Sequence, residues 1–272
     1  MDQEVRYHML RPAQAVERRK AFPVAYVPIG TIEWHGVHNP LGADTLQAEG
    51  LAILCAQKAG GLVFPPLYYG ENRSEALMEA NSADRELIAA GMGLPPENFA
   101  PANQPFSVTE QTLNYNRLLL HILAELQSLG FELGVIVAGH YPLIDHARAA
   151  VLMFNQRRLS GPRMLAWAFV DYLLVKDQYE YCGDHGALWE TSHCMALHPK
   201  TVDLSVLPHK GEKLVGVGGK APQDATAEFG RETLERAAEV AIQEVKHRLA
   251  NKDKYYGHGA CLREGLWKQP KT

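Results

Sequence analysis

Residues 111–140 read QTLNYNRLLLHILAELQSLGFELGVIVAGH, and this stretch decides the fold class. Its first part, Gln111–Leu129, places apolar residues at helical spacing, and Gly130 is typical of a helix end. Its second part, Leu133–Ala138, is a continuous apolar run of the kind found in buried parallel strands. A helix followed by such a strand, which ends at Gly139–His140, predicts an α/β fold with a histidine at the carboxyl end of the strand.

The same alternation of strands and helices extends on both sides of this stretch. The further predicted strands are Phe22–Ile29, Leu62–Leu67 and Met164–Val175, and the further predicted helices are Asp44–Lys58, Ile144–Arg157 and Thr226–Asn251. Alternation of this kind predicts a three-layer α/β architecture, with a mostly parallel sheet and helices on both faces. We therefore expect a single domain over residues 1–272.

Two segments do not follow the alternation. Residues 71–107 are rich in Pro, Asn, Gly and Ala and have no clear period beyond a short helical patch near Asp84–Ala90. We interpret them as an irregular insertion that forms an ordered lid or an oligomer contact rather than a disordered loop. The residues after about 253 carry Gly, Pro and Lys and are predicted to form a C-terminal arm.

Composition excludes several classes of protein. The chain has 272 residues, of which 46% are hydrophobic and 21% charged, and its formal net charge of −4 argues against a nucleic-acid partner. No run approaches the roughly 18–20 apolar residues of a membrane-spanning helix, and the N-terminus lacks the apolar core of a secretory signal. The four cysteines are widely spaced and form no CxxC pair. These features favour a cytoplasmic protein with reduced thiols and no membrane association.

The first polar cluster lies in GTIEWHGVHNPLGADT, residues 30–45. Glu33 and His35 are two residues apart, so an extended backbone would direct both side chains to the same side. Asp44 stands at the start of a predicted helix, where a carboxylate is also a good cap. The three residues are suited to Zn, Mn or Fe. Taken alone, they are explained equally well as surface polar residues and a helix cap.

Two further clusters have the same ambiguity when each is considered alone. Gly139–His140 follows a buried strand, where a histidine is often only a satisfied polar residue. The stretch from Asp184 to Ser192, DHGALWETS, contains His185 and Glu190, which could be no more than the start of a helix. However, the first and second clusters both lie where the chain leaves a strand, and ligands gather there in α/β folds.

The three clusters together resemble the creatininase (creatinine amidohydrolase) family. The first block of that family, Glu-x-His-Gly-x-His-x-Pro-x-x-x-Asp, is matched by Glu33, His35, Gly36, His38, Pro40 and Asp44. Its Gly-His at a strand exit is similar to Gly139–His140, and its His to Glu-Thr-Ser block is similar to residues 185–192. The resemblance covers residues 20 to 250 and implies a metal-dependent hydrolase, in which activated water attacks a polarised carbonyl of a small molecule.

The resemblance also implies a role for each matched residue. The implied metal ligands are Glu33, His35, Asp44, His140 and Glu190. They would hold one or two divalent ions per chain (Zn, Mn or Fe), and Asp44 would bridge the ions if two are present. The implied catalytic residues are Glu190 and His185, of which His185 would transfer a proton. Relatives form oligomers, so a homo-oligomer such as a hexamer is expected.

The chain departs from creatininase itself in one block, and this leaves the substrate open. In creatininase, the Gly-His-Tyr sequence is followed by a metal-binding Glu, but here Tyr141 is followed by Pro142, which cannot bind metal. We therefore expect Glu190 to supply the acid and the substrate to differ from creatinine. A cyclic amide or an N-formyl C–N bond is the first hypothesis. The alternatives are C–C ring opening of an inositol-derived diketone and a non-catalytic binding or assembly module.

Four residues are predicted to contact the substrate because they lie next to the implied ligands or follow a predicted strand. They are Tyr141, Trp189, Asn72 and Arg73.

Overall fold

Four parallel strands form the centre of the structure, which is a computed structural model that describes residues 4–70, 82–156 and 163–256. The strands are β1 (Val24–Ile29), β2 (Leu62–Val63), β3 (Leu133–Ala138) and β4 (Leu165–Val170). Their order in the sheet is β2-β1-β3-β4. The pairing runs from Val24–Leu133 to Ile29–Ala138 between β1 and β3, and from Leu133–Leu165 to Ala138–Val170 between β3 and β4. The carboxyl ends of these three strands therefore lie level at one edge of the sheet.

Helices cover both faces of this sheet. The helices are α1 (Pro12–Ala21), α2 (Ala43–Ala59), α3 (Arg85–Gly91), α4 (Val108–Ser128), α5 (Leu143–Asn155), α6 (Asp171–Val175), α7 (Leu188–Leu197) and α8 (Ala227–Ala250). Buried side chains of α1, α4 and α5 form one core with one face of the sheet, and those of α2, α6, α7 and α8 form a second core with the other face. The strands are apolar at almost every position because both faces are covered. The predicted three-layer, parallel α/β fold is confirmed.

Two of the predicted strands end earlier in the structure than in the prediction. The strand predicted at Leu62–Leu67 ends at Val63, because the two prolines that follow have no N–H to donate to a sheet. Leu67 still bridges to Ile29 beyond them. The strand predicted at Met164–Val175 ends at Val170, where the chain turns into the short helix α6.

The second half of the predicted insertion is ordered and packs against the loop that follows β1. Residues 82–107 contain α3 and short 3₁₀ helices, in agreement with the helical patch predicted near Asp84–Ala90. Ile88, Ala89 and Phe99 bury the indole of Trp34 in a small apolar cluster. Residues 71–81, and most of the predicted C-terminal arm, lie outside the described residues. The single-domain prediction stays a prediction. Within the described ranges, no helix is long and apolar enough to cross a membrane.

Candidate metal centre

The loop between β1 and α2 is held against the strand ends by close backbone contacts. A side chain at Gly139, which follows β3, would place its Cβ 1.8 Å from the backbone oxygen of Asp44. A side chain at Gly30, which follows β1, would place its Cβ 2.4 Å from the hydroxyl of Thr45. Glycine at both exits therefore lets the first turn of α2 rest directly on the sheet. This contact brings the carboxylate of Asp44 close to His140.

Each oxygen of the Asp44 carboxylate faces a different imidazole. Oδ1 lies 2.9 Å from Nε2 of His35, and Oδ2 lies 3.1 Å from Nδ1 of His140. Nδ1 of His35 lies 3.2 Å from the backbone oxygen of Glu33, which can only accept a hydrogen bond. That bond fixes a proton on Nδ1 and directs Nε2 of His35 towards the carboxylates.

Glu33 and Glu190 complete two groups of ligand atoms that share Asp44. Oε2 of Glu33 lies 3.0 Å from Nδ1 of His140, and Oε2 of Glu190 lies 3.3 Å from Nε2 of His35. One group is therefore Glu33, Asp44 and His140, and the other is His35, Asp44 and Glu190, with the ligand atoms of each group within 4.8 Å of one another. The structure brings together all five predicted ligands.

These five side chains are almost completely shielded from water. Their exposed fractions are 0% for Glu33 and His35, 1% for Asp44 and Glu190, and 2% for His140. Three carboxylates in such a place are costly unless positive charge balances them. The positive charge can come from protons on the imidazoles or from divalent cations.

The pKa values of these side chains show how protons can balance the buried negative charge. Burial opposes a charge on His35, but the carboxylates of Asp44 and Glu190 outweigh burial and raise the pKa of His35 to about 10. Burial opposes a charge on His140 as well, but the carboxylates of Asp44 and Glu33 outweigh it and raise the pKa of His140 well above the usual value. Burial raises the pKa of Glu190 well above its usual range. A cation bound at the same place would displace these protons.

The donor set fits a divalent transition metal. Each group offers one imidazole nitrogen and two carboxylates, and such mixed N and O donors suit Zn, Mn and Fe. The two groups share the carboxylate of Asp44. The geometry is therefore compatible with one or two ions.

His185 lies beside this site with one nitrogen already engaged. Its Nε2 is 2.8 Å from the backbone oxygen of Trp34, so Nε2–H donates to that carbonyl. Its ring stacks on His35 with 4.3 Å between centroids, and Nε2 is 3.9 Å from Oε1 of Glu33. Glu33, His35 and His185 also form a third group of potential metal ligands. A protonated Nε2 has no lone pair for a metal, which leaves Nδ1 of His185 as the basic nitrogen.

Asp184, for which the sequence predicted no role, orients the start of α7. Its carboxylate accepts hydrogen bonds from the backbone N–H of Trp189 at 2.6 Å and of Glu190 at 3.2 Å. The side chain of Glu190 in turn accepts a bond from the backbone N–H of Gly186 at 2.7 Å. These bonds hold Glu190 over His35. The sequence carried no signal for this role, because the partners of Asp184 are backbone amides.

A second network ties the first loop to α7. Nε2 of His38 lies 2.9 Å from the backbone oxygen of Gly186 and 3.1 Å from the hydroxyl of Thr191. The amide of Asn39 donates to the same hydroxyl at 2.8 Å. Gly186 has a φ of +61°, and a Cβ there would lie 2.7 Å from the backbone oxygen of His35. Glycine is therefore required for this close approach of the two loops.

Two of the four residues predicted to contact the substrate lie in the described part of the chain. Tyr141 lies next to the site, and its hydroxyl accepts a hydrogen bond from the backbone N–H of Asp184 at 3.3 Å. Trp189 is completely buried, and its indole N–H donates to Asp171 at 2.9 Å. The observed contacts of Trp189 are thus with the core. Asn72 and Arg73 lie outside the described residues, and all four substrate contacts stay predictions.

The buried side chain of His193, one turn beyond Glu190 on α7, is expected to make the folded protein less stable in acid. Its ring is fully buried between Gln47 and Thr233, and burial lowers its pKa to about 3. Asp171 lies 3.5 Å away, but burial raises the pKa of that carboxyl to about 6, so it offers little charge in acid. Because the unfolded chain takes up a proton near pH 6.5 and the folded chain does not, His193 costs stability as the pH falls from 6.5 towards 3.

The check is urea unfolding of the metal-free protein at pH 7 and pH 5. Relative to the variant His193→Gln, the wild type should lose free energy of unfolding with a slope of up to about 1.4 kcal/mol per pH unit. His121→Gln, at an exposed position on α4, is the control and should behave like the wild type. Equal pH dependence in the wild type and His193→Gln would show that His193 is protonated in the fold.

Comparison with known proteins identifies related chains. The sequence profile of the family described as "Creatininase: Creatinine amidohydrolase" matches residues 8–245. A creatinine amidohydrolase from Pseudomonas putida is 26% identical over 194 residues, which span 66% of this chain and 66% of that relative. The chain therefore covers just under two thirds of the length of this relative.

Solved structures with the same fold carry creatininase names. One of them, described as a manganese creatininase, has a TM-score of 0.66 at 20% identity, and the match spans 91% of this chain and 99% of that one. A mutant creatininase described as a Zn–Zn type has a TM-score of 0.65 at 20% identity and covers the same shares. At this identity, the likeness demonstrates a common fold.

Proposed function

Because this chain belongs to the creatininase family, we propose that it is an enzyme, a metal-dependent hydrolase that cleaves a C–N amide bond in a small molecule. The observation that carries the proposal is the position of Asp44, whose two carboxylate oxygens each face the imidazole of a different ligand group. A carboxylate shared in this way suits a site for two divalent ions. Manganese and zinc are the first candidates, since the names of two structural relatives contain them.

A bound divalent metal would supply the electrophilic part of the reaction. When bound, divalent ions polarise a carbonyl oxygen and lower the pKa of water, which makes water a nucleophile near neutral pH. Glu33, Asp44 and Glu190 supply the negative charge that holds such ions, and His35 and His140 supply nitrogen donors. Burial of all five side chains excludes bulk water from the ligands and strengthens their electrostatic interactions.

His185 is the proposed proton-transfer residue. Its Nε2–H is held by the carbonyl of Trp34, so proton exchange takes place at Nδ1. Burial lowers the pKa of His185, and the charge on the neighbouring His35 lowers it further. The imidazole of His185 is therefore neutral near pH 7. A neutral Nδ1 can accept a proton from the attacking water and donate it to the nitrogen that leaves.

The proposed substrate has a cyclic amide or an N-formyl group rather than being creatinine itself. Pro142 follows Tyr141 at the start of α5 and offers no carboxylate to the site. Glu190 from α7 completes the second ligand group instead. The substrate would therefore meet a differently built wall on the side of α5. Ring opening of an inositol-derived diketone and a non-catalytic module have no supporting observation.

A substrate panel tests the proposal. The protein would be stripped of metal with a chelator, reloaded with Mn²⁺ or Zn²⁺, and assayed with creatinine, formamidopyrimidines, other small cyclic amides and oxidised inositols. We expect hydrolysis of at least one amide by the reloaded protein and none by the stripped protein. Turnover of an inositol derivative alone would overturn C–N cleavage, and activity without metal would overturn the metal dependence.

Two further expectations from the sequence stay predictions. They are assembly into a homo-oligomer such as a hexamer and localisation in the cytoplasm.

A further inference from the structure

The segment that contains Gly218 pairs with His185 as two short antiparallel strands do. The N–H of His185 donates to the oxygen of Gly218 at 2.8 Å, and the N–H of Gly218 donates to the oxygen of His185 at 2.9 Å. In such a pair the side chains of the two residues point to the same face, about 4.5–5.5 Å apart at Cβ. The ring of His185 points towards the candidate metal ligands, because it contacts His35 and the carbonyl of Trp34. A side chain at position 218 would therefore stand beside His185 on the face of the metal site.

The space at this position is open. Gly218 is exposed, and a Cβ built on it meets no heavy atom within 4 Å among the residues that the structure describes. Its φ lies outside the left-handed region, in which L side chains are strained. A side chain could thus fill the space without disturbing the fold.

The neighbouring glycines have structural reasons that Gly218 lacks. Gly216 has a φ of +59°, and a Cβ there would lie 2.7 Å from Cδ1 of Trp34. Gly219 has a φ of +141°, and a Cβ there would lie 2.6 Å from Cβ of Asp184. Backbone conformation and packing therefore account for Gly216 and Gly219. Neither accounts for Gly218.

We propose that Gly218 lines the substrate pocket, and that the open space beside His185 receives the part of the substrate remote from the reacting carbonyl. This inference rests on the proposed hydrolase function and extends it to a residue that determines specificity. The surface at Gly218 is bare backbone, which presents no side chain and suits a flat group. The class of ligand that fits is a planar ring attached to a carbonyl that reaches the metal ligands.

The test uses two metal-binding probes and does not depend on knowing the substrate. Acetohydroxamate is small, whereas benzohydroxamate carries a planar ring next to the same metal-binding group. Their binding to the Mn²⁺-loaded protein would be measured by isothermal titration calorimetry in the wild type, Gly218→Ala and Gly218→Val. Lys200→Val, which places a valine at an exposed position on another segment, is the control. Metal content and melting temperature would be recorded for each variant.

We expect Gly218→Val to keep its metal and to bind acetohydroxamate like the wild type, while its affinity for benzohydroxamate falls at least about tenfold. Gly218→Ala should fall between the wild type and Gly218→Val, and Lys200→Val should match the wild type. Unchanged affinity of Gly218→Val for benzohydroxamate would overturn the inference alone. Loss of both probes with metal retained would also overturn it, because the side chain would then block the metal rather than the remote group. A metal-loaded wild type that binds neither probe would overturn the proposed function together with the inference.

Discussion

Replacing Asp44 by Asn is expected to abolish metal binding and to lower turnover by about three decades or more. Asn is close to Asp in size but has no charge, and its nitrogen cannot bind a metal. Because Oδ1 and Oδ2 of Asp44 serve different ligand groups, a single change should weaken both groups at once. A change at Glu33 or Glu190 would touch only one of the two groups that share Asp44.

The measurement is metal content by elemental analysis after loading with Mn²⁺, together with the rate on the best substrate of the panel. Asp145→Asn is the matched control, because the side chain of Asp145 is 85% exposed on α5 and takes part in no ligand group of the described residues. It should retain full metal content and activity. If Asp44→Asn kept the wild-type metal content, Asp44 would not be a ligand.

Replacing His185 by Ala is expected to leave metal content near that of the wild type and to lower turnover by about two to four decades. The metal should remain because Nε2 of His185 donates to the carbonyl of Trp34 rather than facing a cation. The rate should fall because the proton acceptor at Nδ1 is lost. His121→Ala, at an exposed position on α4, is the control and should retain the wild-type rate.

Two further readouts separate proton transfer from a structural role of His185. Imidazole added to His185→Ala should restore part of the rate, since a free base can enter the space that the side chain leaves. The acidic limb of the pH profile of kcat/KM should disappear in the variant, because the group that titrates there is gone. Loss of metal together with activity would instead make His185 a ligand.

The strands and the first candidate ligands could be predicted because their signals are local. The apolar run Leu133–Ala138 has the same bounds in the structure as in the prediction. A strand that is buried on both faces is a continuous apolar run, and this pattern can be identified without knowing which strands pair with it. Glu33 and His35 were paired by their spacing of two residues. In the structure both belong to the group that contains His185, but they are divided between the two groups that share Asp44, and spacing alone carries no information about that division.

Other parts of the site depend on tertiary contacts that no local pattern encodes. Glu190 reaches His35 only because Gly186 allows a close approach of two loops separated by about 150 residues in sequence. Asp184 acts on backbone amides, which are the same at every position of a sequence. Trp189 was predicted beside the substrate from its position next to Glu190. Its side chain is completely buried, and the contact with substrate stays a prediction.

Counting the ions that each chain binds tests most directly the proposal that Asp44 is shared by two of them. Metal-free protein would be titrated with Mn²⁺, and the bound metal would be followed by elemental analysis and electron paramagnetic resonance. We expect saturation at two ions per chain and a spectrum of two spin-coupled Mn²⁺ ions. Saturation at one ion, with the six-line spectrum of an isolated Mn²⁺, would contradict the claim.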